Sequence, residues 1–275
     1  MLHLAAADPE NLLSVAFRTP PPDDTGLPHI LEHTVLCGSK SFPVKDPFVE
    51  LLKTSLATFL NAFTYPDRTI YPFSSMNAKD FHNLMRVYCD AAFFPILSHD
   101  HFRQEGHHLE FAPDGKLIVK GVVYNEMRGV YSDPDGILDR HVQAILFDSN
   151  AYGRDYGGDP KVIPQLTYEQ FVDFHRSYYH PSNAWIFSYG DVDLPSTLDI
   201  LDREYLGKFD AIALDSTIKP LGRWDKPRQA SFSYPLDADA SEKSRTDIAV
   251  AFATNDRREV RENIAMKVVD MYLLD

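Results

Sequence analysis

The sequence is poor in cysteine, with only Cys37 and Cys89 among 275 residues. Two are too few for a disulfide framework or a thiolate zinc site, so both read as buried thiols in a reducing compartment. Long apolar runs are missing: none approaches the roughly 18 residues of a membrane-spanning helix. The first residues hold neither a basic segment followed by an apolar one nor an Arg-rich transit peptide, so a soluble, intracellular protein with no membrane partner is expected. Positive charge is scarce too, with 27 Lys and Arg against 40 Asp and Glu and a net charge of −13. Phosphate-backbone binding needs clustered basic side chains, which argues against a nucleic-acid partner.

What is present is the composition of a packed globule: 44% hydrophobic residues and 12% aromatics. At roughly 150 residues per domain, the length fits one large domain or one and part of a second. Asn77 and Thr167 each precede a run with helical apolar spacing, and Thr167–Gln170 has the form of a capping box. Ala57–Thr64, Arg68–Phe73 and Ala184–Tyr189 read as strands, and Pro113-Asp114-Gly115 joins two further ones. Strands and helices mix without strict alternation, which predicts an α+β fold with a mixed or antiparallel sheet. At the ends, Leu2–Leu4 and Leu12–Arg18 read as a hairpin whose first strand has lost its beginning. Ile264, Val268, Met271 and Tyr272 form an apolar helical stripe that stops without a cap. Both ends look cut. The expected organisation is a first domain over 1–212, a linker over 213–229 and an incomplete second domain over 230–275. That second domain would begin with strand-like Ala230–Tyr234, an Asp- and Ser-rich loop and strand-like Asp247–Ala253.

The sharpest motif is His29-Ile30-Leu31-Glu32-His33. Thr25 is placed to cap a helix here, Pro28 suits its first turn, and Gly38 stands where it could end. On that helix the two imidazoles project from one face, a spacing that suits one Zn²⁺. Glu32 lies close to the same face and could take a proton from metal-held water without being a ligand. The order His-x-x-Glu-His is the inverzincin signature. A catalytic zinc needs a third protein ligand. Glu126, behind the apolar run Val122-Val123, is the best candidate, although spacing leaves other glutamates open. His99, His101, His107 and His108 compete on paper, but neighbouring residues of a helix point in different directions.

Six stretches carry a resemblance: TGLPHILEHTVLCGSKSFPVKDPF, LATFLNAFTYPDRTIYPFSSMNAKDF, QEGHHLEF, GVVYNEMRGVYSDPDG, GGDPKVIPQLTYEQF and HRSYYHPSNAWIFSYGD. In this order they resemble the presequence-protease branch of the pitrilysin zinc metallopeptidases, from about Leu12 to Asp191. The resemblance implies a pitrilysin-type α/β domain, one zinc per chain held by His29, His33 and Glu126, and Glu32 as the catalytic base. Val119 stands where the wider family often has a further acidic residue. An edge strand containing Asn61 and Ala62 is implied to pair with the backbone of short unstructured peptides, including cleaved presequences. Family members are much longer chains, two halves closing around a chamber. A C-terminal half that supplies an Arg and a Tyr near the metal would have no counterpart here.

The function so implied is a zinc-dependent metalloendopeptidase. Two rivals stand beside it: a general processing peptidase or oligopeptidase of the same family, and an inactive fragment that binds peptides along an edge strand. The compartment implied is the cytoplasm for a bacterial protein, or the mitochondrial matrix or plastid stroma for a eukaryotic one.

Overall fold

The computed structural model describes residues 1–275 except Asp46, Arg223, 236–245, Asn255, Arg257 and Asp275. Its centre is β2 (Asn11–Arg18), where Asn11, Leu13, Val15 and Phe17 are buried and the residues between them are not fully so. That two-residue period turns one face of the strand to the core. β1 (Leu2–Ala5) lies at one edge of the sheet, and β3 (Ala57–Leu60) and β4 (Phe63–Tyr65) lie at the other. Between them run β5 (Arg68–Ser75) and, beyond a separate hairpin of β6 (His108–Phe111) and β7 (Leu117–Lys120), β8 (Ala184–Gly190). The order is β1-β8-β2-β5-β3, with β4 also on β5. All pairs in it are antiparallel except β1 with β8. The mixed sheet of an α+β fold is therefore present, but the N-terminal hairpin is not. β1 pairs with β8, which separates it from β2. A turn after Leu4 allows two outcomes, and a distant strand won the edge.

The expected strand over 57–64 is split in two, and Pro72 of β5 supplies the reason. Asn61 donates its amide to the Pro72 carbonyl at 3.3 Å. In an antiparallel pair the return bond would come from the amide of residue 72, which proline lacks. The Tyr88 hydroxyl instead points at the Asn61 carbonyl, at 3.4 Å.

The helices α1 (Leu27–Val35), α2 (Pro47–Thr54), α3 (Ala78–Phe93) and α4 (His99–Glu105) come before the β6–β7 hairpin. After it come α5 (Val122–Val130), α6 (Pro134–Leu146), α7 (Tyr168–Tyr178), α8 (Leu194–Ile200) and α9 (Val260–Leu274). The Asn77 side chain caps α3, and Thr167 with Gln170 forms the full capping box of α7. α3 lays Phe81, Leu84, Met85 and Tyr88 on β2 and β5, with Phe73 against both Phe81 and Tyr88. Cys37 and Cys89 are buried.

Beyond α8 and the short turns that follow it, regular structure thins out. Residues 230–235 and 246–254 are irregular rather than strands, since among the described residues no strand pairs with them. The Asp- and Ser-rich loop falls mainly outside the described residues. α9 forms where the apolar stripe predicts it, with Ile264, Val268, Met271 and Tyr272 exposed. Among the described residues no helix is long and apolar enough to cross a membrane.

Candidate metal and active site

α1 is a short helix enclosed on most sides, with Leu27, Ile30, Leu31 and Val35 in the core. Its start differs from expectation. Thr25 does not cap it, because the Thr25 hydroxyl donates to Asp23 Oδ1 at 2.5 Å. The N-cap is Gly26, left-handed at φ 68°, with Pro28 in the first turn. A Cβ on Gly26 would fall 2.5 Å from the Gly157 carbonyl, so glycine is required both by backbone and by space. At the other end the helix stops at Val35, before Gly38.

His29 and His33, one turn apart, present rings with centroids 4.9 Å apart and nearly perpendicular. Glu126 reaches the same point from α5, with Oε2 3.7 Å from His29 Nε2 and 3.8 Å from His33 Nε2. The three donor atoms lie within 4.8 Å of one another, the one such group among the described residues. Tetrahedral zinc with bonds near 2.0–2.1 Å would set its ligand atoms about 3.4 Å apart. The glutamate distances are within a few tenths of an ångström of that.

The other face of each ring strengthens the fit. His29 Nδ1 lies 3.1 Å from the Gly157 carbonyl, and His33 Nδ1 lies 3.3 Å from Glu105 Oε2. Both acceptors call for a proton on Nδ1, which leaves both Nε2 lone pairs aimed at the shared point. Glu105, buried at the end of α4, also accepts from Gln104 at 2.9 Å. Burial raises its pKa, but the hydrogen bonds from His33 and Gln104 prevail and hold it below the usual carboxylate value. Burial likewise disfavours charge on His33, yet the Glu105 bond and the nearby carboxylates keep its pKa above the ordinary histidine value.

Glu32 is largely buried. Its Oε2 accepts a 2.5 Å hydrogen bond from the Thr64 hydroxyl on β4. Asn61 and Ala62 sit at the break between β3 and β4, and the Ala62 amide is met by Asn61 Oδ1 at 2.9 Å. His29, Glu32, His33, Asn61, Ala62, Thr64 and Glu126 line one open cleft of about 930 Å³, and Glu105 lies outside it. Its carboxylates are Asp24, Glu32, Glu126, Asp139, Asp148, Asp155 and Asp159, against Arg140 and Arg154. The competing histidines are employed elsewhere. His101, His107 and His108 bond to backbone carbonyls, and His99 stacks on Tyr168.

Sequence reasoning did not single out Thr64, Glu105 or Gly157. Thr64 carried a signal, since it lies two residues after Ala62 and so on the same face of an extended strand. Glu105 and Gly157 carried none, because their roles depend on which loop folds against α1.

Residues 18–158 match the family described as insulinase, peptidase family M16, and residues 165–275 match the peptidase M16 inactive domain. The chain belongs to peptidase family M16. Over all of its length it is 49% identical to presequence protease 1, chloroplastic/mitochondrial, of Arabidopsis thaliana. Over all of its length it is also 45% identical to protein HypA of Clostridium perfringens. The chain spans about a quarter of each, 26% and 28% of their lengths. These likenesses put it in the presequence-protease branch. The crystal structure of pitrilysin shares the fold, with a TM-score of 0.57 at 23% identity over 75% of this chain and 21% of that one.

Proposed function

We propose that this chain is the zinc-binding portion of a metalloendopeptidase that hydrolyses short unstructured peptides, including cleaved presequences. One observation carries the reading. Two imidazole Nε2 atoms and one carboxylate oxygen converge, with both Nδ1 atoms already committed to acceptors. His29, His33 and Glu126 would hold one Zn²⁺. Bound there, zinc supplies Lewis acidity, which polarises a peptide carbonyl and makes a water molecule easier to deprotonate. Glu32 is the proton carrier. Its Oε2 is held by Thr64, so Oε1 takes the proton from water and passes it to the leaving amine.

Asn61 and Ala62 would bind the substrate backbone. Asn61 turns its amide to β5, so by the strand's alternation Ala62 turns its own amide and carbonyl away from the sheet. A peptide strand added there would replace Asn61 Oδ1 as the partner of the Ala62 amide. The surplus of carboxylates in the cleft favours Arg- and Lys-rich peptides at long range. Residues 1–212 would form the catalytic domain, 213–229 a linker and 230–275 the opening of a second, non-catalytic domain. Closing a chamber over the cleft would take a C-terminal half beyond this chain, in keeping with its quarter share of the relatives' length. The compartment would be cytoplasmic in a bacterium and mitochondrial or plastid in a eukaryote.

The test uses Glu32→Gln and His33→Ala with zinc analysis. The unaltered chain is expected to hold about one zinc, Glu32→Gln to keep it and His33→Ala to lose it. Hydrolysis of a presequence peptide, assayed with the remainder of the protein present, should fall by about 10²–10⁴ in Glu32→Gln. Full hydrolysis by a folded, zinc-loaded Glu32→Gln chain would sink the mechanism. The quarter share also favours a second reading, a portion that binds peptides without turnover when alone. Peptide binding by the isolated zinc-loaded chain with no product would support it.

A further inference from the structure

Asp155 lies in the loop after α6, outside the ligand set, and its side chain is 14% exposed. Both of its oxygens are in use. Oδ1 accepts from the amides of Gly157 and Gly158 at 3.0 and 3.1 Å. Oδ2 accepts from the Tyr131 hydroxyl at 2.5 Å and pairs with Arg140 Nε at 3.1 Å. Its own amide donates to Asp24 Oδ1 at 2.8 Å, just ahead of α1.

These partners lead to two of the ligands by different routes. Through Oδ1, Asp155 holds the Gly157 peptide whose carbonyl meets His29 Nδ1. Through Oδ2 it holds Tyr131, the C-cap of α5, the helix that carries Glu126. Arg140 of α6 lies over the Tyr131 ring at 4.1 Å and fixes that side of the carboxylate. We propose that Asp155 is a positioning residue that sets the separation of His29 and Glu126, and through it the metal affinity of the site. A carboxylate suits the place because it takes donors on two sides at once and offsets the Arg140 charge. This rests on the reading of His29, His33 and Glu126 as a zinc site.

The experiment measures zinc affinity of the 275-residue chain by chelator competition, with the melting temperature of the metal-free form and the visible spectrum of the Co²⁺ form alongside. Asp155→Asn keeps an oxygen for the glycine amides but loses the charge that Arg140 needs. Tyr131→Phe removes only the hydroxyl. Asp155→Asn is expected to weaken zinc about 10–100-fold, the range for partners that orient metal ligands. Tyr131→Phe should weaken it at least about threefold, and the Co²⁺ bands should shift in both. A lower melting temperature with zinc affinity within about twofold of the unaltered chain would overturn the proposal. If Asp155→Asn fails to fold, Tyr131→Phe decides by the same criterion. Failure of the unaltered chain to bind zinc would remove the metal-site reading itself, a result distinct from failure of Asp155.

Discussion

The Thr64 hydroxyl donates to Glu32 Oε2 at 2.5 Å, tying the edge of the sheet to the middle of α1. The bond is part-buried, and it engages Oε2, leaving Oε1 for the proton transfer proposed above. A hydrogen bond to a charged group contributes about 1.5–3 kcal/mol. Thr64→Val keeps the shape and removes the donor. The expected outcome is a fall in kcat of about 10–100-fold, with zinc content and KM for a peptide substrate nearly unchanged. An equal rise in KM with kcat intact would instead make Thr64 a substrate contact.

Glu105 acts on the neighbouring residue of α1, His33. As the acceptor at His33 Nδ1, it determines which nitrogen of that ring keeps the proton. Glu105→Gln is expected to lower zinc affinity by about 10–100-fold while leaving the fold intact. Chelator competition reads this directly, and unchanged affinity would show that the charge of Glu105 plays no part in metal binding.

How far the sequence led can be judged from these residues. His29, Glu32 and His33 were legible because a helix of known period puts them on adjoining parts of one face, whatever the rest of the chain does. Glu126 needed the resemblance, since no local rule brings α5 to α1. Glu105 and Asp155 became visible only with tertiary structure, whereas Thr64 carried a signal in its spacing from Ala62. Elements with strong local signals, such as the Asn77 cap and the Thr167 capping box, formed as expected. The errors fell where a partner had to be chosen. Leu2–Ala5 took β8 rather than β2, and Thr25 turned to Asp23 rather than to the helix. Pro72 broke a strand that is continuous in its own sequence, because the missing amide belongs to the neighbour.

That break is itself testable. Tyr88 is buried, and its hydroxyl is the donor offered to the Asn61 carbonyl in place of the Pro72 amide. Tyr88→Phe should cost about 1 kcal/mol in urea unfolding, the loss of one ordinary hydrogen bond, without a change in the slope. Since Asn61 lines the cleft, KM should rise more than kcat falls. A purely structural role would lower stability and leave KM alone.

His175 sits on α7 with Nε2 3.1 Å from the Ala92 carbonyl and its ring stacked on Tyr179. Burial pushes its pKa down to about 4, and the Ala92 hydrogen bond offsets this only in part. In the unfolded chain the same group titrates near 6.5, so between these values the unfolded state binds the extra proton. Stability from this group is therefore complete above about pH 6.5 and is lost as pH falls toward 4, by at most about 3 kcal/mol. Urea unfolding of the metal-free chain from pH 7 to 4.5 should show that slope on top of the carboxylate background. His175→Gln, which can still donate to the Ala92 carbonyl, should flatten it. Equal pH slopes for the two proteins would mean that His175 charges as readily in the folded state as in the unfolded one.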